Sequence, residues 1–83
     1  MIDREKQAIE LAEKYIREQI EFANEKKDYQ MFVIWKCVIL GNYKFLVKST
    51  YPDVLYFEMT YNVESNEWYM DVYWKISNRV IKE

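Results

Sequence analysis

The sequence predicts an α+β fold: one N-terminal helix packed on a four-stranded antiparallel β-meander, in the order α-β-β-β-β. Two observations carry this. Apolar residues recur with a period near 3.6 over residues 3–24, and from residue 31 onward they recur with a period of 2. A chain of 83 residues holds one such unit and one modest core, so residues 1–83 are read as a single domain.

In the helix, predicted over 3–24, Asp3 stands at the N-cap and Glu5 lies near the positive end of the dipole. Ala8, Ile9, Leu11, Ala12, Tyr15, Ile16, Ile20, Phe22 and Ala23 fall on one half of the wheel, which only Gln19 interrupts. The opposite half is charged, and Glu10–Lys14 and Glu13–Arg17 have the i,i+4 spacing of helix-stabilising pairs. That charged half is read as a solvated face.

The first strand is predicted over 31–40, "MFVIWKCVIL", and the second over 43–50. A three-residue loop Leu40-Gly41-Asn42, with Asn42 in the left-handed position, sets Trp35 opposite Val47 and Cys37 opposite Phe45. A two-residue loop that set Trp35 opposite Lys48 and Cys37 opposite Leu46 mixes the faces and is disfavoured. Tyr51-Pro52-Asp53 marks the next turn, because proline fixes φ and donates no hydrogen bond. The third and fourth strands follow at 54–63 and 67–76. The tail after residue 76 reads equally as a short strand, a helical turn or a fraying end. The predicted core is Ile9, Ile16, Ile20, Val33, Trp35, Cys37, Phe45, Val47, Phe57, Met59, Val72 and Trp74.

The other face of the sheet then divides in two. Phe32, Ile34, Val38 and Leu46 form an apolar half, together with Leu40. Tyr56, Glu58, Tyr69, Asp71 and Tyr73 form a tyrosine-rich, charged half. These nine residues other than Leu40 are the candidate partner-binding residues, because a contiguous exposed apolar patch marks a contact surface. Three occupants compete for the apolar half: the tail through Val80 and Ile81, a second copy in a two-fold homodimer, or a foreign protein.

Glu58 and Asp71 face each other if a four-residue loop closes the last hairpin, and a lysine from Lys44, Lys48 or Lys75 is then expected to bridge them. A two-residue loop at Ser65-Asn66 sets Glu58 against Tyr73 instead. Paired carboxylates support acid–base chemistry only inside a cleft, and a flat sheet face supplies little depth, so no catalytic residue is assigned. Lys36, Lys44, Lys48 and Lys75 are all expected on this face beside the tyrosines, an arrangement that also suits a single-stranded nucleic acid. The acids at its centre and the net charge of −2 oppose that reading, and nucleic acid is the runner-up.

Other chemistry lacks its residues. The chain has no His and a single Cys, Cys37, which the alternation places in the core, so no metal centre, conventional catalytic triad or cofactor is expected. No Gly-rich phosphate loop occurs. No internal disulfide can form, no apolar run approaches a membrane span, and the charged N-terminus does not resemble a signal peptide, so the cytoplasm is the expected compartment.

The stretches "WKC" at 35–37, "LGN" at 40–42, "STYPD" at 49–53, "YFEMTYN" at 56–62, "EWYMDVYWK" at 67–75 and "NRVIK" at 78–82 together resemble a family of short uncharacterised proteins encoded by phages and prophages of Firmicutes. The similarity spans about residues 31–82. It offers no catalytic or binding residue to carry over by position. What it implies is a setting: a small accessory protein in the host cytoplasm that binds a host protein, with inhibition of a defence system such as CRISPR–Cas among the known outcomes for genes of this kind.

Overall fold

The computed structural model describes residues 2–19, 29–50 and 55–83. It has the expected architecture: helix α1 (Arg4–Gln19) followed by strands β1 (Met31–Ile39), β2 (Asn42–Ser49), β3 (Leu55–Asn62) and β4 (Glu67–Trp74). The strands form one antiparallel sheet in the order β1-β2-β3-β4. The expected continuation of the helix to residue 24, with Ile20, and the turn at Tyr51-Pro52-Asp53 lie outside the described residues.

The helix begins where its cap dictates. Asp3 Oδ1 accepts a hydrogen bond from the Lys6 backbone N–H at 3.1 Å, satisfying one of the first-turn donors that has no helical partner. On its outer surface Arg17 reaches Glu13 at 3.4 Å, while Lys14 turns to Glu18 at 3.8 Å. Ala8, Ala12 and Ile16 are fully buried beneath it. The two alanines let the helix settle close to the sheet, chiefly over β2 with β1 and β3 to either side.

Beneath the helix, Phe45 and Val47 of β2 and Leu55, Phe57, Met59 and Tyr61 of β3 are buried. Tyr15 meets Phe57 edge-on, with centroids 5.6 Å apart, a geometry favoured by the ring quadrupoles. Trp68, Met70 and Val72 of β4 pack against this cluster. Trp74, expected in the core, is instead 64% exposed at the end of the edge strand, out past the helix.

The β1–β2 register departs from the sequence expectation. Ile39 pairs with Asn42, so the loop is the two residues Leu40 and Gly41, whose φ angles are +50° and +77°. Both angles lie in the left-handed region, as a tight hairpin turn with the twist of its strands requires. The left-handed residue expected at Asn42 is thus displaced onto Leu40 and Gly41. From this loop the ladder runs back through Cys37 opposite Lys44 and Trp35 opposite Leu46, then shifts at a bulge between Val33 and Trp35, so that Val33 meets Val47. Ile34 is the additional residue. One inserted residue reverses the facing of everything beyond it. Lys36 and Val38 therefore lie on the helix side, and Trp35, Cys37 and Ile39 on the open side.

Trp35 and Cys37 are accordingly not core residues: Trp35 is 42% exposed and Cys37 is exposed. Lys36 reaches under the sheet edge to Glu5 of the helix, Nζ to Oε1 2.9 Å. Residues 75–83 have no regular secondary structure, and Ile76, Val80 and Ile81 are 93%, 82% and 85% exposed. The tail does not cover the apolar half of the open face.

Candidate functional site: the open sheet face

The registers place four residues side by side in each row across the open face. Phe32, Lys48, Tyr56 and Tyr73 form one row. Trp35, Leu46, Glu58 and Asp71 form the next. Cys37, Lys44, Thr60 and Tyr69 form the third. Of the nine residues predicted for this face, Phe32, Leu46, Tyr56, Glu58, Tyr69, Asp71 and Tyr73 are there. Ile34 sits at the bulge, and Val38 belongs to the helix side because the bulge has turned it over. Sequence alternation missed Trp35, Cys37 and Ile39. Its one readable hint was that β1 is apolar on both alternating sets, which leaves its register unspecified.

The last hairpin takes the four-residue loop 63–66, since Asn62 pairs with Glu67. Asn66 adopts φ +56°, and Asn62 Oδ1 accepts from the Ser65 N–H at 3.1 Å. Asparagine suits both tasks: it tolerates the left-handed region, and its short side chain bonds nearby backbone. With that loop, Glu58 stands directly opposite Asp71.

Glu58 is the hub of the charged half. Lys44 Nζ lies 3.2 Å from its Oε2, and the Tyr73 hydroxyl donates to its Oε1 at 3.0 Å. The Lys44 ammonium first, and the Tyr73 hydroxyl second, hold the Glu58 carboxyl below the usual glutamate value. The same bond, together with the carboxylate charge, raises the Tyr73 phenol above its ordinary value. Lys48 Nζ lies 4.5 Å from the centroid of the Tyr56 ring, a cation–π contact. Tyr69 donates to Glu67 at 3.0 Å. The polar half is thus a network of mutually engaged groups on an open surface. The apolar half beside it remains wet, with Phe32 41%, Trp35 42% and Ile39 52% exposed.

A second feature lies on the helix side, where an open cleft of about 750 Å³ runs between the start of α1 and the ends of β2 and β3. Arg4 stacks on Tyr61 with its guanidinium carbon 3.8 Å from the ring centroid, and donates to Gln7 at 2.8 Å and to the Tyr61 hydroxyl at 3.0 Å. Tyr61 in turn donates to Asn66 Oδ1. This chain ties the helix start to the last hairpin, and with Lys36 bonded to Glu5 both cations at the cleft are paired. Among the described residues, no cluster of three or more potential ligands that could hold a metal ion occurs, and no helix is long and apolar enough to cross a membrane.

No curated protein and no solved structure gives a significant match to the chain. Residues 5–83, the helix as well as the sheet, match one family along almost their whole length, and the chain therefore belongs to the family of unknown function DUF6275.

Proposed function

We propose that this chain is a small non-enzymatic interaction module that binds a foreign protein through the open face of its sheet. The observation that supports this reading is that one open face carries exposed Phe32, Trp35 and Ile39 along its β1 edge and Tyr69 and Tyr73, 49% and 51% exposed, along its β4 edge. Tryptophan and tyrosine dominate the energetic centres of protein interfaces, and a polar rim such as the Glu58 network confers orientation. The resemblance of the strand region to phage and prophage proteins adds the setting. In this reading the chain is an accessory protein in the host cytoplasm and its partner is a host protein, a component of a defence system such as CRISPR–Cas being the partner that fits such a gene.

The test is affinity capture from the natural host with the wild type, Trp35→Ser and Leu46→Asp as parallel baits. A protein retained by the wild type and lost by both variants, with circular dichroism and melting unchanged, is the expected result. Equal retention by all three baits places the contact elsewhere. Single-stranded nucleic acid is the weaker reading. Tyr56, Tyr69 and Tyr73 keep company with Lys44 and Lys48, but Lys36 has gone to the helix side and Lys75 lies beyond β4. Tight, steeply salt-dependent binding of short oligonucleotides at low salt would reverse the order of the two readings.

A further inference from the structure

Strand β1 is an edge of the sheet, and no described residue pairs with its outer side. Such edges are normally blunted by charge. The opposite edge, β4, carries Glu67 and Asp71. β1 carries a single charge in nine residues, Lys36, and its ammonium is already bonded to Glu5 at 2.9 Å. We propose that the outer edge of β1 pairs antiparallel with β1 of a second copy, around a two-fold axis at Cys37, joining two sheets into one of eight strands.

The register follows from the hairpin. In a two-residue loop the flanking pair, here Ile39 and Asn42, exchanges both of its hydrogen bonds, and bonded and non-bonded pairs alternate from there. Cys37 and Trp35 therefore direct their backbone groups toward β2. Lys36 and Val38 direct theirs outward. Pairing centred on Cys37 sets Lys36 of one copy against Val38 of the other, twice, so that every outward N–H and C=O of this stretch finds a partner. The bulge bends the strand before Trp35 and confines the pairing to residues 35–39.

The side chains agree with that register. On the open face Trp35 meets Ile39 of the second copy, Cys37 meets Cys37, and no charge is opposed to a like charge. The two copies of β2 lie three strand spacings apart, about 14 Å. The helices above them therefore pass without collision. Phe32, Ile34, Trp35, Val38, Ile39 and Leu40 are 41–94% exposed. Of these, Trp35, Val38 and Ile39 lie within the paired stretch, so the contact is small and its affinity modest. Leu40 is the most exposed of them at 94% and occupies a left-handed backbone position. That placement is unfavourable for a lone hairpin.

The experiment is sedimentation of the full reduced chain from about 1 to about 100 µM, a range that brackets a modest interface. A monomer–dimer equilibrium is expected. Val38→Pro removes an outward N–H without touching the β1–β2 ladder, and Val38→Lys opposes two lysines across the axis. Each is expected to weaken dimerisation at least about tenfold. Because a non-bonded antiparallel pair brings its Cα atoms within disulfide range, mild oxidation should link the dimer through Cys37, and Cys37→Ser should not be linked. A monomer throughout the range overturns the proposal. So does a dimer that survives both Val38 variants and does not crosslink through Cys37. Should Val38→Pro unfold, Val38→Lys decides, since that side chain is 66% exposed.

Discussion

Glu58 and Asp71 stand directly opposite one another on β3 and β4, and Lys44 on β2 sits 3.2 Å from Glu58, bridging from the side rather than between them. Two carboxylates facing across a sheet repel. Here the cost is offset by a cation and a phenol that both bind Glu58, leaving a network that orders the surface.

Glu58 has a folded-state pKa below its unfolded value, so its contribution to stability is complete above the ordinary glutamate pKa and is lost as pH falls through the folded value. Glu58→Gln should cost about 0.5–1 kcal/mol near neutral pH, the scale of a partly exposed pair. It should also flatten the fall in stability below about pH 4.3. Urea denaturation from pH 3 to 7 measures both. Tyr73→Phe should leave the acid limb but shift it upward in pH. Tyr73 itself has a raised folded pKa, so its own contribution is complete below about pH 10 and is lost only as pH climbs through the folded value.

What could be read from sequence and what could not divides at β1. In β3 and β4 each apolar residue alternates with a polar one, so a slip of one residue would bury Glu58 or Asp71 and the faces are legible. A slip of two keeps the faces and leaves Glu58 opposite either Asp71 or Tyr73, and the structure chooses Asp71. In β1, Phe32, Ile34 and Val38 compete with Val33, Trp35 and Cys37 as equally apolar sets, and burial alone cannot choose between them. The bulge at Ile34 decides. Its only trace in sequence is Lys36, which reads as an outward-facing charge until the helix supplies Glu5 beneath it. The bulge took Ile34 and Val38 off the candidate surface and brought Trp35, Cys37 and Ile39 onto it.

Leu40 supplies a second prediction. A β-hairpin turn with left-handed φ at both positions favours Asn-Gly, and a leucine at φ +50° is strained. Since Leu40 is almost wholly solvent-exposed, Leu40→Asn removes no contact within one copy. The variant should be more stable by about 0.5–1 kcal/mol, seen as a higher melting temperature at low protein concentration. A loss of stability there would mean that Leu40 is packed against something.

The helix start offers a third. Asp3 caps the first turn through the Lys6 N–H, and Asp3→Ala should cost about 1 kcal/mol. Glu5→Gln, which loosens an exposed bridge to Lys36, should cost less than about 1 kcal/mol and fade in high salt. The two effects are separable by repeating thermal unfolding in about 1 M salt, where the Debye length shrinks to about 3 Å. The capping bond should persist there.

Three aromatic truncations provide the sharpest check on which face is core. Phe57 is fully buried and packed against Tyr15, so Phe57→Ala should cost about 3–5 kcal/mol, enough to unfold a domain of this size at 37 °C. Trp74 and Trp35 read as core residues by alternation alone but are 64% and 42% exposed. Trp74→Ala and Trp35→Ser should each cost less than about 1 kcal/mol. Denaturant midpoints of the three variants, measured with unchanged slopes, give the ranking directly. A Trp35→Ser variant as damaged as Phe57→Ala would restore the unbulged register and move Trp35 back beneath the helix.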